Sequence, residues 1–327
     1  MKNNKIPLIL CSVFAVLTVV FGVLAAVNFL KPDLKAEMES KAAEYAAPQV
    51  EKIDALADTL GNVLSKDMKE QTSYPQGMRK EFMQAYAVNN NLVGWLSIPG
   101  TEIDTALLQS NDNSKYLYKD FYERGTSNTT STNYGNLYLD YRCITDGLSV
   151  NTVIHGHTTG KGDGIPKQAF RSLYDYRDMQ TFIKNPIIKY STLYEEYTFK
   201  ICAVFLSSTQ PKDDNGYFFN YIYPDMSQNN MVGFIEQVKQ RMLYETGVSL
   251  EPTDKVITLS TCIYDYGKNV DTRLVVMGRL LHEGESEEID ASLVKDNPDY
   301  RRPQVWYNSR GKANPYKNAE KWQPSAN

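Results

Sequence analysis

Between Val93 and Leu281 the chain is a series of short segments in which apolar and polar positions alternate, separated by turn residues. VGWLSI and IDTALLQ are joined by PGTE; GNLYLDYRC and NTVIHGHT follow; IIKYSTL and YTFKICAVFLSS flank YEE; VITLST and TRLVVMGRLL close the series. Period-two alternation rich in β-branched and aromatic residues predicts strands, about eight in all, and so a mainly β fold. Two stretches of helical period interrupt them. One is Lys167 to Asn185. The other runs through MSQNNMVGFIEQVKQRMLYETG, where Phe234, Val238 and Met242 fall on one face and predict packing against the domain rather than a ligand box. Upstream, Leu34 to Gln71 is rich in Ala, Glu, Lys and Leu and reads as a helical stalk, interrupted by Pro48 and Gly61. SYPQG breaks it before a short amphipathic helix in MRKEFMQAYAVNN.

The two ends differ from this middle. Ile6 to Leu30 contains no charged residue, and about 20 apolar residues suffice to cross a bilayer, so the segment is expected to be an uncleaved anchor. Lys2 and Lys5 favour a cytoplasmic N-terminus, with the rest of the chain outside the cell membrane. After Leu281, HEGESEEID is acidic and the remainder is polar and Pro/Asn-rich, which predicts a loosely ordered, solvated tail. The expected organisation is a cytoplasmic N-terminus at 1–5, a transmembrane anchor at 6–30, a helical stalk at 31–77, a catalytic domain at 78–281 and a polar C-terminal tail at 282–327.

Composition narrows the function. With 35 Lys and Arg against 39 Asp and Glu the net charge is −4, so the chain offers no basic field for nucleic acid. Its cysteines are Cys11, Cys143, Cys202 and Cys262. None forms a CxxC pair or a metal-type cluster with His155, His157 or His282, so neither a metal nor a cofactor is expected. Cys143 and Cys202 are either partners in an oxidising exterior or buried free thiols.

Cys262 ends the strand pattern VITLST, and a loop leads to the next strand, which begins near Arg273. Antiparallel pairing would set Arg273 beside Cys262, where a guanidinium can favour thiolate or hold an anionic intermediate. A nucleophilic cysteine also needs a proton partner. His155 and His157 sit where a strand pattern gives way to the Gly-rich stretch HGHTTGKGDG, and composition does not choose between them.

TLSTC with Arg273 in DTRLVVMGRL resembles the active-site strand pair of sortases, and IHGHT resembles the family's G-H-[TN] segment. LVGWLSIPGTEID and YGNLYLDYR extend the similarity over Met78 to Leu281, and the preceding helix and the helical insertion between the sixth and seventh strands resemble class B members. The resemblance implies a closed eight-stranded sortase-type β-barrel preceded by N-terminal helices. It implies His157, rather than His155, as acid/base, with Cys262 as nucleophile, Arg273 as oxyanion ligand, and Ser260 and Thr261 lining the substrate groove. The implied chemistry is cleavage of a C-terminal sorting signal of NPxTx or LPxTx type after Thr, through a thioacyl enzyme. The implied partners are a secreted protein carrying that signal and an acceptor amine from a cell-wall precursor or a pilin lysine. Two other readings remain: an L,D-transpeptidase-like cell-wall enzyme, whose S-H-G-[CN]-R motif is absent, and an anchored adhesion or assembly scaffold, which would not need the thiol.

Overall fold

The computed structural model describes residues 73–123, 135–158, 170–267 and 269–325; the expected anchor and nearly all of the expected stalk lie outside them. Eight strands close into a barrel: β1 (Leu92–Ser97), β2 (Asp104–Leu108), β3 (Tyr138–Leu139), β4 (Asn151–Gly156), β5 (Ile187–Thr192), β6 (Glu196–Ser208), β8 (Val256–Ile263) and β9 (Thr272–Leu280). A further pair, β7 (Tyr244–Glu245) and β10 (Lys295–Asp296), forms a small antiparallel ribbon. Around the barrel the order is β1-β2-β3-β4-β8-β9-β6-β5, with β5 returning to β1. The β2–β3 and β4–β8 pairs are parallel and the others antiparallel.

The helices are short: α1 (Met83–Val88), α2 (Lys115–Tyr118), α3 (Met179–Lys184), α4 (Gln228–Lys239) and α5 (Gln304–Asn308). In the first insertion, α3 follows a 3-10 segment, Phe170–Arg177, and Asp178 caps it by accepting from the Gln180 N–H. The long helix expected in the second insertion is shorter than its pattern. It starts at the Ser227 cap and ends at Lys239; Met242 then bridges Phe205, and Tyr244–Glu245 turns into β7. The apolar spacing continued past the helix because the chain stays against the same sheet after it changes conformation.

Alternation sorts the side chains of β8 and β9 between two cores. Ile257, Leu259, Leu274 and Val276 fill the barrel interior. Val256, Val275 and Met277 point outward, where α4 and the Tyr217–Tyr221 segment cover them.

The segment after Leu281 corrects the expectation of a solvated tail. Trp322 is only 8% exposed; its ring meets Phe219 and Phe234 at 5.8 and 5.5 Å, and its Nε1–H donates to the Asn230 carbonyl at 3.0 Å. A Cβ on Gly233 would come within 2.4 Å of that indole, so the helix leaves room for it. Arg301 is buried, donating from its backbone N–H to Gln240 O at 2.6 Å and from its guanidinium to Gln240 Oε1 at 3.1 Å. Nearer the barrel end, Glu285 accepts from Arg279 (2.7 Å) and Lys200 (2.8 Å). The segment is polar overall but carries anchors spaced well apart, and each has a buried partner.

Candidate active site

The register of the ladders assembles the site. Cys262 on β8 lies directly opposite Arg273 on β9. On its other side β4 runs parallel to β8 and pairs His155 with Ser260 and Gly156 with Thr261. His157 and Cys262 are the residues that follow this last pair, His157 just past the end of β4 and Cys262 still within β8. Directly paired residues share a face, so Cys262 and Arg273 lie together on the outer face of the barrel, with His157 at the end of the flanking strand to complete a row; all three are partly exposed. The intervening Gly156 is required by space, since a Cβ there would meet Leu137 at 2.2 Å and Phe170 at 2.7 Å.

The His157 ring is held from the α2 turn, its Nε2 lying 2.8 Å from the Leu117 carbonyl. A carbonyl only accepts, so this nitrogen carries hydrogen and Nδ1 is the basic position of the neutral ring. The α2 turn is itself fixed: Asp112 accepts from the Ser114 and Lys115 N–H groups, and buried Tyr116 takes a 2.8 Å hydrogen bond from Asn91.

Arg273 is engaged on its own strand edge. Its Nη1 donates to Asp271 Oδ1 and its Nη2 lies 3.4 Å from Asp271 Oδ2, while Thr209 Oγ1 donates to that same Oδ2 at 2.5 Å. Burial opposes ionisation of Asp271, but hydrogen bonds from Thr209 and Arg273 outweigh it and hold the carboxyl below its ordinary pKa. At Cys262 burial pushes the thiol pKa up; Arg273 pulls against this and Asp271 reinforces it. The resting sulfur therefore favours the protonated form and needs a base.

Next to Cys262 on the same strand, Ser260 and Thr261 were expected to line the groove. Both are buried; the Ser260 hydroxyl hydrogen-bonds Tyr221 Oη at 2.9 Å, and Thr261 donates to Gly156 O at 2.8 Å and also pairs with Thr158. Ser260 shares the outer face with Cys262 and is covered there by Tyr221, whereas Thr261 faces the other way. Burial pushes the Tyr221 hydroxyl up to about 12 and raises that of Tyr138, so both stay neutral. His155 lies against Tyr138 at 5.3 Å between ring centroids and hydrogen-bonds Asp140 at 3.0 Å, a packing place distinct from that of His157. Asp265, on the loop after Cys262, pairs with Arg177 at 3.1 Å and not with the row.

Cys143 and Cys202 are buried free thiols, with burial raising their pKa values to about 11 and about 12. Among the described residues no cluster of three or more His, Cys, Asp or Glu side chains is placed to hold a metal. An open cavity of about 950 Å³ beside Gly100, Arg171, Tyr174 and Asp178 contains none of the three row residues.

No protein-family model matches the chain. It is 30% identical over 206 residues to Sortase B of Listeria monocytogenes, spanning 62% of this chain and 75% of that one. The chain belongs to the class B sortase family. Sortase B of Staphylococcus aureus is 25% identical over 211 residues, 64% of this chain and 78% of the relative. Among solved structures, S. aureus Sortase B superimposes with a TM-score of 0.52 at 25% identity, covering 69% of this chain and 97% of that one. Sortase B from B. anthracis in complex with AAEK2 gives 0.51 at 26%, covering 64% and 87%. The S. aureus sortase B-substrate complex, at 24% identity and a TM-score of 0.52 over 74% of this chain and 98% of that one, shares the fold.

This sortase is thus a cysteine transpeptidase, which sets aside the scaffold and L,D-transpeptidase readings. The sequence signal passed over Asp271, because its relation to Arg273 depends on both side chains sharing the outer face at the start of β9. It also passed over the Leu117 carbonyl, since a backbone acceptor has no sequence signature.

Proposed function

We propose that Cys262 is the nucleophile, His157 the acid/base and Arg273 the oxyanion ligand of a reaction that cuts a C-terminal sorting signal after Thr and passes the protein to an amine. The observation that carries this reading is the cross-strand opposition of Cys262 and Arg273, with His157 immediately past the end of the flanking parallel strand. His157 takes the Cys262 proton at Nδ1 as the sulfur adds to the threonine carbonyl, and Arg273 hydrogen-bonds the oxyanion. Collapse breaks the C–N bond; the leaving amine receives the proton from His157, and a thioester remains. An incoming amine then loses a proton to His157 as it attacks the thioester, releasing the thiol.

A sorting signal of NPxTx or LPxTx type fits this chemistry, and a sortase B from S. aureus has been solved with a substrate. The acceptor is a primary amine from a cell-wall precursor or a pilin lysine. Residues 6–30 anchor the enzyme in the cell membrane, with the N-terminus inside and the site outside, where secreted proteins and lipid-linked precursors meet. The uncharged run and the flanking Lys2 and Lys5 support that placement.

The test incubates the full-length protein in detergent with NPxTx and LPxTx peptides, with and without an amine. Mass spectrometry is expected to find an acyl adduct on Cys262 that the amine discharges and that Cys262→Ala lacks. Cleavage without an adduct, or no cleavage across the panel, would overturn the reading.

A further inference from the structure

Arg273 is the obvious positive group beside Cys262, yet it does not stand free: its guanidinium is paired with Asp271, two residues earlier on the same face. Asp271 is in turn held at two points by Thr209, whose Oγ1 donates to the carboxylate Oδ2 at 2.5 Å and whose N–H donates to the backbone carbonyl at 2.9 Å. The backbone contact continues the β6–β9 ladder, where Ser208 faces Thr272, so the position of the carboxylate is built into the register of the barrel. Thr209, Asp271 and Arg273 thus form a fixed relay that ends opposite the sulfur.

We propose that Asp271 is a positioning residue of this reaction: it holds the Arg273 guanidinium across from Cys262 and limits how much of its positive charge reaches the thiol. The inference rests on the reading of Cys262 as the nucleophile. A long arginine side chain left alone has many rotamers, and fixing it beforehand removes that ordering cost from the reaction step. The pairing has an electrostatic consequence as well. An unpaired guanidinium would favour a resting thiolate; a paired one leaves the sulfur as thiol until His157 removes its proton. The other titratable groups facing Cys262 do not substitute for Asp271. Tyr138 from β3 and Tyr221 from the segment ahead of α4 have raised pKa values and remain neutral, and His157 lies on the opposite side of Cys262 from Arg273.

The test reads iodoacetamide alkylation of Cys262 against pH by peptide mapping of the full-length protein, which needs no peptide substrate, beside kcat/KM with a sorting peptide. Asp271→Asn is expected to speed alkylation at pH 7 by roughly threefold or more, moving the profile to lower pH, because one negative charge near the sulfur is gone. It is also expected to lower kcat/KM by about tenfold, since the guanidinium is no longer held. Asp271→Glu restores the charge and is expected to return the alkylation profile to that of the parent. Buried Cys143 and Cys202, which should stay unmodified, report on folding in every sample. If Asp271→Asn does not fold, Thr209→Val decides: it leaves both charges in place and should lower kcat/KM with the alkylation profile unchanged. Superimposable alkylation profiles for parent and Asp271→Asn, or an unaltered kcat/KM in either variant, overturn the inference, even in an enzyme that transfers peptides normally. A shifted alkylation profile in a protein that turns over no peptide would sustain the electrostatic role of Asp271 and count against the sorting-signal reading alone.

Discussion

The outer face of the β8–β9 ladder carries two regions made by the same strands in the same register. At one end Val256, Val275 and Met277 lie under α4 and the aromatic cluster of Phe219, Phe234 and Trp322. At the other end Cys262 and Arg273 face partly open space, with polar groups around and behind them. Strand geometry does not separate the two; what is laid over them does. A helix, an aromatic segment and the chain after Leu281 all cover the first end, so burial there holds the ladder rigid while the second end is left for chemistry. The comparison implies that changes at the open end should cost turnover with little loss of stability, and changes at the covered end the reverse.

The largest effect tests the open end. Cys262→Ala should abolish the acyl adduct altogether, while the midpoint of thermal unfolding moves little, because the sulfur is half-buried and makes no hydrogen bond that the fold depends on. A variant that lost several kcal/mol of stability would show that the site is also a structural support, and the division between the two ends would fail.

Next in size, and at the covered end, is Trp322→Ala. Removing a buried indole commonly costs about 3–5 kcal/mol, and here the carbonyl of Asn230 also loses its donor. Urea unfolding should show that loss while the pH profile of Cys262 alkylation stays in place. Stability within about 1 kcal/mol of the parent would mean that the terminal segment is not part of the core.

That segment also shows where sequence reasoning reached its limit. The strands were legible because alternation repeats: each states its inward and outward faces many times over, and about eight were expected where eight close the barrel, a closure that the resemblance alone implied. The opposition of Cys262 and Arg273 was legible because a strand-ending cysteine and a following strand fix a cross-strand neighbour, whereas the choice of His157 over His155 came from the resemblance alone. The chain from 282 onward has no such repeat. Trp322 and Arg301 are isolated among Pro, Asn and Lys, and what buries them is contact with α4, Tyr217 and Gln240, which local composition cannot report. The partners of Ser260 and Thr261 were out of reach for a related reason. Their hydroxyls are engaged by Tyr221 and Gly156, both distant in sequence.

Arg273→Ala ranks third. Loss of an oxyanion donor costs about 2.7–4 kcal/mol at comparable sites, or 10²–10³ in kcat, and should appear in kcat and kcat/KM with sorting peptides while urea unfolding changes little. A rise in KM alone would assign Arg273 to ground-state binding of the peptide and move the oxyanion ligand elsewhere.

The smallest effect concerns a charge that belongs to the open end and yet is fully buried, and so sharpens the division. Asp140 follows β3 and lies beside His155, bound by Arg142 at 2.8 Å and by His155 at 3.0 Å. Burial works against its ionisation, but the Arg142 and His155 hydrogen bonds outweigh it and hold the carboxyl well below the usual carboxylate range. A folded-state pKa below the unfolded value of about 3.9 gives stability that is complete above roughly pH 5 and is lost as pH falls toward the folded-state value. The contribution should be on the order of 2 kcal/mol. Asp140→Asn should therefore be less stable than the parent at pH 6, and the gap between them should narrow by pH 2.5, as followed by urea unfolding across that range. A gap that is constant with pH would mean that the amide fails for reasons of shape rather than charge. A gap that is absent would place all the stabilising interactions of the outer face at the covered end.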